Sequence, residues 1–256
     1  MQPRWRPDCA GRSSWPEQVM KSSVATIEPN GCFCIDCAIR GVGICAPLDG
    51  AELRQFDHLG RRVQFAACET VFSEQEITTS VFNLVGGVMR LYKLLPDGRR
   101  QIVGFALAGD FLGMNASERH SFSADAISAV TLCQFPSQTF ARFVESRPHL
   151  LRRINELAVR ELSQARDHMV LLGRRSAEEK VATFLLGWRS RLAARNGVAK
   201  LVSLPMSRQD IADYLGLTIE TVSRTFTKLE RDGIIQIVHG GITLLDPARA
   251  EALAAA

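Results

Sequence analysis

Ser207-Arg208-Gln209-Asp210-Ile211-Ala212-Asp213-Tyr214-Leu215-Gly216-Leu217-Thr218-Ile219-Glu220-Thr221-Val222-Ser223-Arg224 carries the most informative pattern in the chain. Ser207 is placed to cap a short helix over Arg208 to Leu215, which Gly216 ends, and Thr218 to cap a second helix closing at Gly233. Ala212, Gly216 and Val222 supply what two steeply crossing helices need: a small residue at the contact, one free to take positive φ at the turn, and an apolar anchor. The spacing predicts a helix-turn-helix.

In its second helix Val222, Phe226 and Leu229 recur at steps of four and three and face a core, leaving Glu220, Ser223 and Arg224 on the other side. Arg donates two hydrogen bonds to guanine, Glu accepts from the cytosine amino group and Ser serves either role, each good pair giving about 1 to 3 kcal/mol of discrimination. Their place in the first turns of the second helix favours base contact over a merely solvated charged face. Arg208, Lys228 and Arg231 are the candidate phosphate contacts, and Thr218 is a further DNA-binding candidate. Beyond them Ile234 to Val238 and Ile242 to Leu245 flank His239-Gly240-Gly241, which predicts a two-stranded wing.

Upstream, Leu151, Ile154, Ala158, Leu162, Ala165, Met169 and Leu172 repeat at steps of three and four, a single apolar stripe along a long helix that Gly173 ends. The stripe suits packing on the chain's own β domain and equally a two-stranded coiled coil between two copies, which small Ala158 and Ala165 permit. Periodicity does not choose between them, and the homodimer is the reading carried forward. Ser176 and Glu179 then form a capping box for a further helix running to Asn196-Gly197.

From about Arg61 to Phe135 the period shortens. Val81 to Val85, Val88 to Tyr92, Gln101 to Phe105 and Ala129 to Leu132 are short strands, with Pro96-Asp97-Gly98 as a hairpin turn. Closely spaced strands of this kind predict an antiparallel roll or jelly roll. The fold class expected is therefore α+β, divided into an N-terminal segment 1–50, a β-roll 51–147, a dimerisation helix 148–173 and a winged helix-turn-helix unit 174–256.

Residues 1 to about 30 read as a mobile lead-in without the apolar run of a signal peptide. The longest apolar stretches fall far short of the roughly 20 residues a membrane span needs. A soluble, cytoplasmic protein is expected. The net charge of +4 does not by itself announce a nucleic-acid partner. Cytosolic cysteines are read as thiols or metal ligands. Cys32, Cys34, Cys37 and Cys45 fall within one turn-rich segment that resembles a ligand loop more than a core, and Cys34-Ile35-Asp36-Cys37 has the gap that turns both sulfurs toward one metal centre. His58, His120, His149, His168 and His239 are scattered, so a further ligand must be a distant thiol: Cys9, Cys68 or Cys133, the last two otherwise reading as small buried residues in strands. Glu52, Asp57 and His58 read as a solvated helix face. No paired histidines beside a carboxylate and no nucleophile–base pair suggest an enzyme.

Nearly the whole chain from Gly31 resembles the FNR class of oxygen-responsive regulators in the cyclic-AMP receptor protein superfamily. The resemblance is densest over Asp210 to Arg224, where the class's DNA-reading Glu, Ser and Arg fall on Glu220, Ser223 and Arg224. It implies a 4Fe-4S cluster held by Cys34, Cys37, Cys45 and Cys133, with Cys32 surplus or, in the alternative register, in place of Cys34, and a cyclic-nucleotide-binding-like roll. It also implies a homodimer that binds double-stranded DNA with TTGAT and ATCAA half-sites four bases apart under low oxygen. RNA polymerase is a further implied partner, although Arg99-Arg100 stand where some relatives carry acidic residues in a polymerase-touching surface. A cyclic-nucleotide ligand is disfavoured, because Gly113 is followed by Met114 where a Gly-Glu pair is needed, and Ser123 is preceded by Phe122 where an Arg-Ser pair is needed. The competing reading is a regulator of the same superfamily whose cysteines bind structural zinc or form a redox disulfide.

Overall fold

The computed structural model describes residues 34–114, 118–197 and 200–255. The lead-in, Cys9 and Cys32 lie outside the described residues. Helix α1 (Gly50–Leu59) precedes eight strands: β1 (Arg61–Phe65), β2 (Thr70–Phe72), β3 (Ser80–Gly86), β4 (Val88–Leu94), β5 (Arg100–Leu107), β6 (Phe111–Leu112), β7 (Ser123–Ala126) and β8 (Val130–Pro136). Two antiparallel sheets result, ordered β1-β8-β3-β6 and β2-β7-β4-β5. Phe82, Leu84, Met89, Leu91, Ala106, Ala124, Ala126, Val130 and Leu132 from both sheets meet in one interior core, the roll that the short strands predict. At its β3–β4 turn Gly87 has φ 87°, and a methyl group there would lie 2.3 Å from the Ala129 carbonyl oxygen, so no other residue fits.

Strand side chains alternate between faces, so each sheet also has an outer face. On β8, Val130 and Leu132 point inward, while Cys133 and Phe135 join a second core with Cys34, Ile44, Cys45, Leu48, Leu53, Phe56 and the start of the long helix at Leu150. On β4, Met89 and Leu91 point inward, while Val88 and Tyr92 join a third core with Trp188, Ile211, Leu215, Val222 and Phe226 of the C-terminal part. The cysteine segment thus covers one outer face of the roll and the C-terminal helices cover the other.

Helix α2 (Ser137–Glu145) leads into α3 (Pro148–Arg174), which passes through Gly173 and ends one residue beyond it. Helix α4 (Ala177–Asn196) begins at the Ser176–Glu179 capping box. Then follow β9 (Leu201–Ser203), α5 (Arg208–Leu215), α6 (Ile219–Arg231), β10 (Ile235–Val238), β11 (Gly241–Leu244) and α7 (Pro247–Ala255). The wing is three-stranded, ordered β10-β11-β9. Short β9 carries no alternation long enough to read.

The C-terminal part is held to the roll by charge as well as by apolar packing. Arg90 on β4 pairs with Asp125 on β7 at 3.1 Å and with Asp210 on α5 at 3.2 Å. Arg100 on β5 reaches Asp210 and Asp213, each at 2.7 Å. The Gln101 amide donates to the Asp213 carbonyl at 2.7 Å. Beside this network Phe105 meets Tyr214 at 5.4 Å and Trp188 at 5.9 Å between ring centroids. Asp110, in the turn after β5, pairs with Arg191 at 2.7 Å and Arg195 at 2.6 Å from α4.

Removing one member of a buried ion group leaves its partners charged and desolvated, at a cost of about 3–5 kcal/mol. Arg90→Met leaves Asp125, whose side chain is 1% exposed, without its arginine and takes from Asp210 one of its two, Arg100 remaining at 2.7 Å. It should lower the free energy of unfolding in urea by that amount, and a loss below about 1 kcal/mol would show that the network is not what holds the two parts together.

Candidate nucleic-acid interface and four-thiol pocket

The helix pair α5–α6 is built by local caps. The Ser207 hydroxyl accepts from the Asp210 N–H and the Asp210 carboxylate accepts from the Ser207 N–H, a full capping box. Gly216 takes the left-handed conformation at φ 61°, ψ 42°, and the Thr218 hydroxyl accepts from the Thr221 N–H to start α6. Val222, Phe226 and Leu229 are buried, and Glu220, Ser223 and Arg224 are exposed together on the opposite face. Hydrogen bonds from its own backbone N–H and from the Thr218 hydroxyl hold the Glu220 carboxyl below the usual range, so it stands ready as an ionised acceptor. A shallow groove continues this face, lined by Ser223, Arg224, Thr227, Lys228 and Arg231. Thr227 was not singled out from sequence, although its position one turn from Ser223 and Arg224 places it there.

Of the candidate contacts, Arg208 and Lys228 are engaged with other elements of the protein, while Arg231 lies 3.7 Å from its neighbour Asp232. The Arg208 guanidinium lies 3.3 Å over the Phe226 ring, and burial pushes its pKa down to about 10. Lys228 pairs with Glu178 on α4. Both partnerships are tertiary and leave no local sequence signal. Thr218, the cap, is exposed.

On the far side of the roll the cysteine segment is part of a core, contrary to its reading as a loop apart from one. Its Gly and Asp turns do not keep Ile39, Ile44, Cys45 and Leu48 from being buried. Arg40 clasps the segment from within: its Nη1 donates to the carbonyls of Cys45 at 2.7 Å and Ala46 at 2.8 Å, and its Nη2 to that of Leu48. From α3, Arg153 donates to the Val42 carbonyl at 2.7 Å. The thiols of Cys34, Cys37, Cys45 and Cys133 are free, and those of Cys34, Cys45 and Cys133 share one apolar core. Cys34 donates to the Asp57 carboxylate at 3.3 Å, so Asp57 belongs to the pocket and not to a solvated face. Glu52 likewise is tied, to His149 at 3.0 Å. Cys133 sits mid-strand, opposite Arg62 on β1 and Asn83 on β3. Cys68 lies in the turn before β2 with φ 72°, not in a strand.

Burial pushes the Cys34 thiol far up, followed by the Asp57 hydrogen bond and the nearby Asp57, Cys133 and Cys45 charges. Burial also pushes Cys133 up to about 12, with the Cys37 and Cys45 charges adding to it and Arg62 opposing. Cys45 is raised by burial and then by Cys37, against Arg40. Cys34, Cys45 and Cys133 are thus each raised further by the charge of another thiol of the set. Among the described residues no three His, Cys, Asp or Glu side chains converge closely enough for a single metal ion. Cysteine thiolates are the ligands an iron–sulfur cluster takes, and three of the four thiols, Cys34, Cys45 and Cys133, lie in one apolar core.

A winged helix-turn-helix joined to a β-roll through a long helix defines a DNA-binding transcription regulator. Residues 179–253 match the family model described as a Crp-like helix-turn-helix domain, and residues 62–147 that described as a cyclic nucleotide-binding domain. The chain is 76% identical over 237 residues to the nitrogen fixation regulation protein FixK of Bradyrhizobium diazoefficiens, covering 93% of this chain and all of that one (100%). It is 35% identical to the transcriptional activator protein FnrL of Cereibacter sphaeroides, covering 80% of this chain and 84% of that one. The solved structure of FixK2 from Bradyrhizobium japonicum superposes with a TM-score of 0.72 at 39% identity, covering 77% of this chain and 98% of that one. The chain belongs to the Crp/Fnr family of transcription regulators and is a FixK-type activator, not an enzyme. No described helix is long and apolar enough to cross a membrane.

The raised thiols make a direct prediction for protein freed of any bound group. At pH 8 a thiol with a pKa of about 12 is about one part in ten thousand thiolate, the reactive form. Iodoacetamide should therefore label Cys133 and Cys34 far more slowly than it labels the same cysteines in urea. Labelling at equal rates in folded and unfolded protein would contradict the buried geometry.

Proposed function

We propose that this FixK-type activator senses oxygen in the cytoplasm through a 4Fe-4S cluster held by Cys34, Cys37, Cys45 and Cys133. Under low oxygen it would bind, as a homodimer, a TTGAT-N4-ATCAA-like palindrome that controls anaerobic or microaerobic genes. The observation that carries this reading is the single apolar core in which Cys34 and Cys45 are buried with Cys133 packed against them. When bound, the cluster supplies an oxidisable centre that oxygen can reach and destroy. The chain's own residues do the rest. Apolar neighbours such as Ile44, Leu48 and Phe135 exclude water from the sulfurs, and Arg40 fixes the carbonyls around Cys45.

Arg153 ties the same segment to α3. That helix turns Leu150, Ile154 and Leu157 toward the cysteine core, so Ile154 is shared with the chain's own roll. Leu151, Leu162 and Met169 are 47%, 51% and 63% exposed, and Ala158 and Ala165 are exposed between them, an apolar face for a second copy. Leu172 is half-buried at the end of the row. Two-fold pairing there sets two recognition helices to read half-sites about one helical turn apart. A change at the cysteine segment biases that pairing, and the effect on DNA affinity is a population shift. RNA polymerase is the partner through which such an activator acts. Arg99 is open to it at the hairpin tip, whereas Arg100 is engaged with Asp210 and Asp213.

Protein purified without oxygen should contain iron and acid-labile sulfide and be coloured, and Cys133→Ala should lose both. Its affinity for the palindrome should fall on exposure to air. Colourless, iron-free protein, or equal affinity before and after air, would overturn the proposal. In the oxygen-free protein Arg224→Ala should weaken binding to the palindrome by about 5- to 150-fold and flatten discrimination at one guanine position. Unchanged base preference would place the reading elsewhere.

A further inference from the structure

Asn83 is the one buried polar residue on the sheet face that carries Cys133, and it has no counterpart among the features read from sequence. It is 2% exposed and its Oδ1 has no hydrogen-bond partner. It stands directly opposite Cys133 on β8 and Phe111 on β6. Directly opposed residues of an antiparallel pair share a face, with Cβ atoms about 4.5–5.5 Å apart. The same face carries Val81 and Phe135, which lie in the core that contains Cys34 and Cys45. From the other direction, a methyl group on Gly43, two residues before Cys45, would come within 3.2 Å of the Asn83 Nδ2. The carboxamide is thus held between the Cys133 strand and the segment that carries the other three thiols.

A buried polar atom without a partner costs about 1–3 kcal/mol, and such groups in folded proteins have a reason to be there. The apolar side chains around it, such as Val81, Phe111 and Phe135, offer the Asn83 Oδ1 nothing to bind. Four thiolates and the inorganic sulfurs they surround offer acceptors with negative charge. The oxygen and the NH2 group of a carboxamide have the same shape, so a half-turn about χ2 exchanges them and presents two N–H donors to the pocket.

We infer that the Asn83 carboxamide, between Cys133 and Gly43, donates a hydrogen bond to a sulfur of the cluster or of its thiolate ligands and thereby slows its oxidation. The inference rests on the cluster reading above. A donated hydrogen bond draws electron density from sulfur and favours the reduced state, which is how such bonds set the potentials of iron–sulfur centres. Asn83 is in this sense a positioning and tuning residue, not a ligand.

The test compares the full-length chain with Asn83→Leu and Asn83→Asp, all purified without oxygen. Leu keeps the volume and removes both polar atoms, a change that leaves packing nearly neutral. Asp keeps the shape and removes the N–H donors. Both variants should take up iron and sulfide as the parent does, show a lower reduction potential, and bleach in air about tenfold faster, the scale of one hydrogen bond to a charged group. A folded variant that fails to load iron while the parent loads also supports a direct role of the amide. Should Asn83→Leu not fold, Asn83→Asp decides alone. Equal potential and equal bleaching rate in loaded parent and variants would overturn this inference and leave the cluster reading standing. A parent protein that holds no iron would overturn the cluster reading, and this inference with it.

Discussion

Leu132 points into the roll and Cys133 points out of it, because neighbours on a strand face opposite ways. The rest of the molecule depends on this alternation. The same rule turns Asp125 on β7 and Arg90 on β4 away from the interior and toward the C-terminal helices. A sandwich of two sheets then has a thiol pocket on one outer surface and the DNA-reading unit docked on the other. Seven residues of chain, through the turn between β7 and β8, separate Asp125 from Cys133. A one-residue slip in the pairing of β8 would bury Cys133 in the roll and expel Leu132.

The docking on the second surface is expensive to build and specific once built. Arg90, Arg100, Asp125, Asp210 and Asp213 are largely removed from water, and a buried ion group earns little net stability. In this placement carboxylates of β7 and α5 satisfy both arginines of the roll. Asp210 has a double role: it closes the capping box of α5 and receives both arginines of the roll. The start of the helix-turn-helix is thereby tied to the strand that neighbours β7. On the other surface Arg153 ties the cysteine segment to α3. Contacts thus run outward from the thiols in two directions, through the sheets toward α5 and along the helix whose apolar face is exposed.

The parts of this architecture that were readable in sequence are those set by local rules. Caps at Ser176, Ser207 and Thr218 and the left-handed Gly216 depend on residues within one turn, and the longer strands show in runs of apolar residues. Strands β2 and β6 hold three and two residues, too few for a period. Helix α2 has no side-chain cap, whereas α7 carries one that the sequence reading does not use, Asp246 accepting from the Arg249 N–H at 3.0 Å. At the two sites the residue types were legible and their partners were not. Arg208 on Phe226, Lys228 with Glu178, Asp57 beside Cys34 and Asn83 opposite Cys133 are long-range contacts, or contacts decided by packing, that no spacing encodes. The cysteine segment misled for a related reason: Gly and Asp mark turns correctly, but a turn whose Ile39, Ile44 and Leu48 all face one way still builds a core.

The central claim is that thiolates of Cys34, Cys37, Cys45 and Cys133 enclose a multi-iron centre. X-ray absorption at the iron edge on oxygen-free protein reads this most directly. The account predicts iron surrounded by sulfur alone, with a second shell of iron neighbours that vanishes in Cys133→Ala. Iron bound by nitrogen or oxygen, an isolated iron with no iron neighbour, or the same spectrum with Cys133 removed would contradict it.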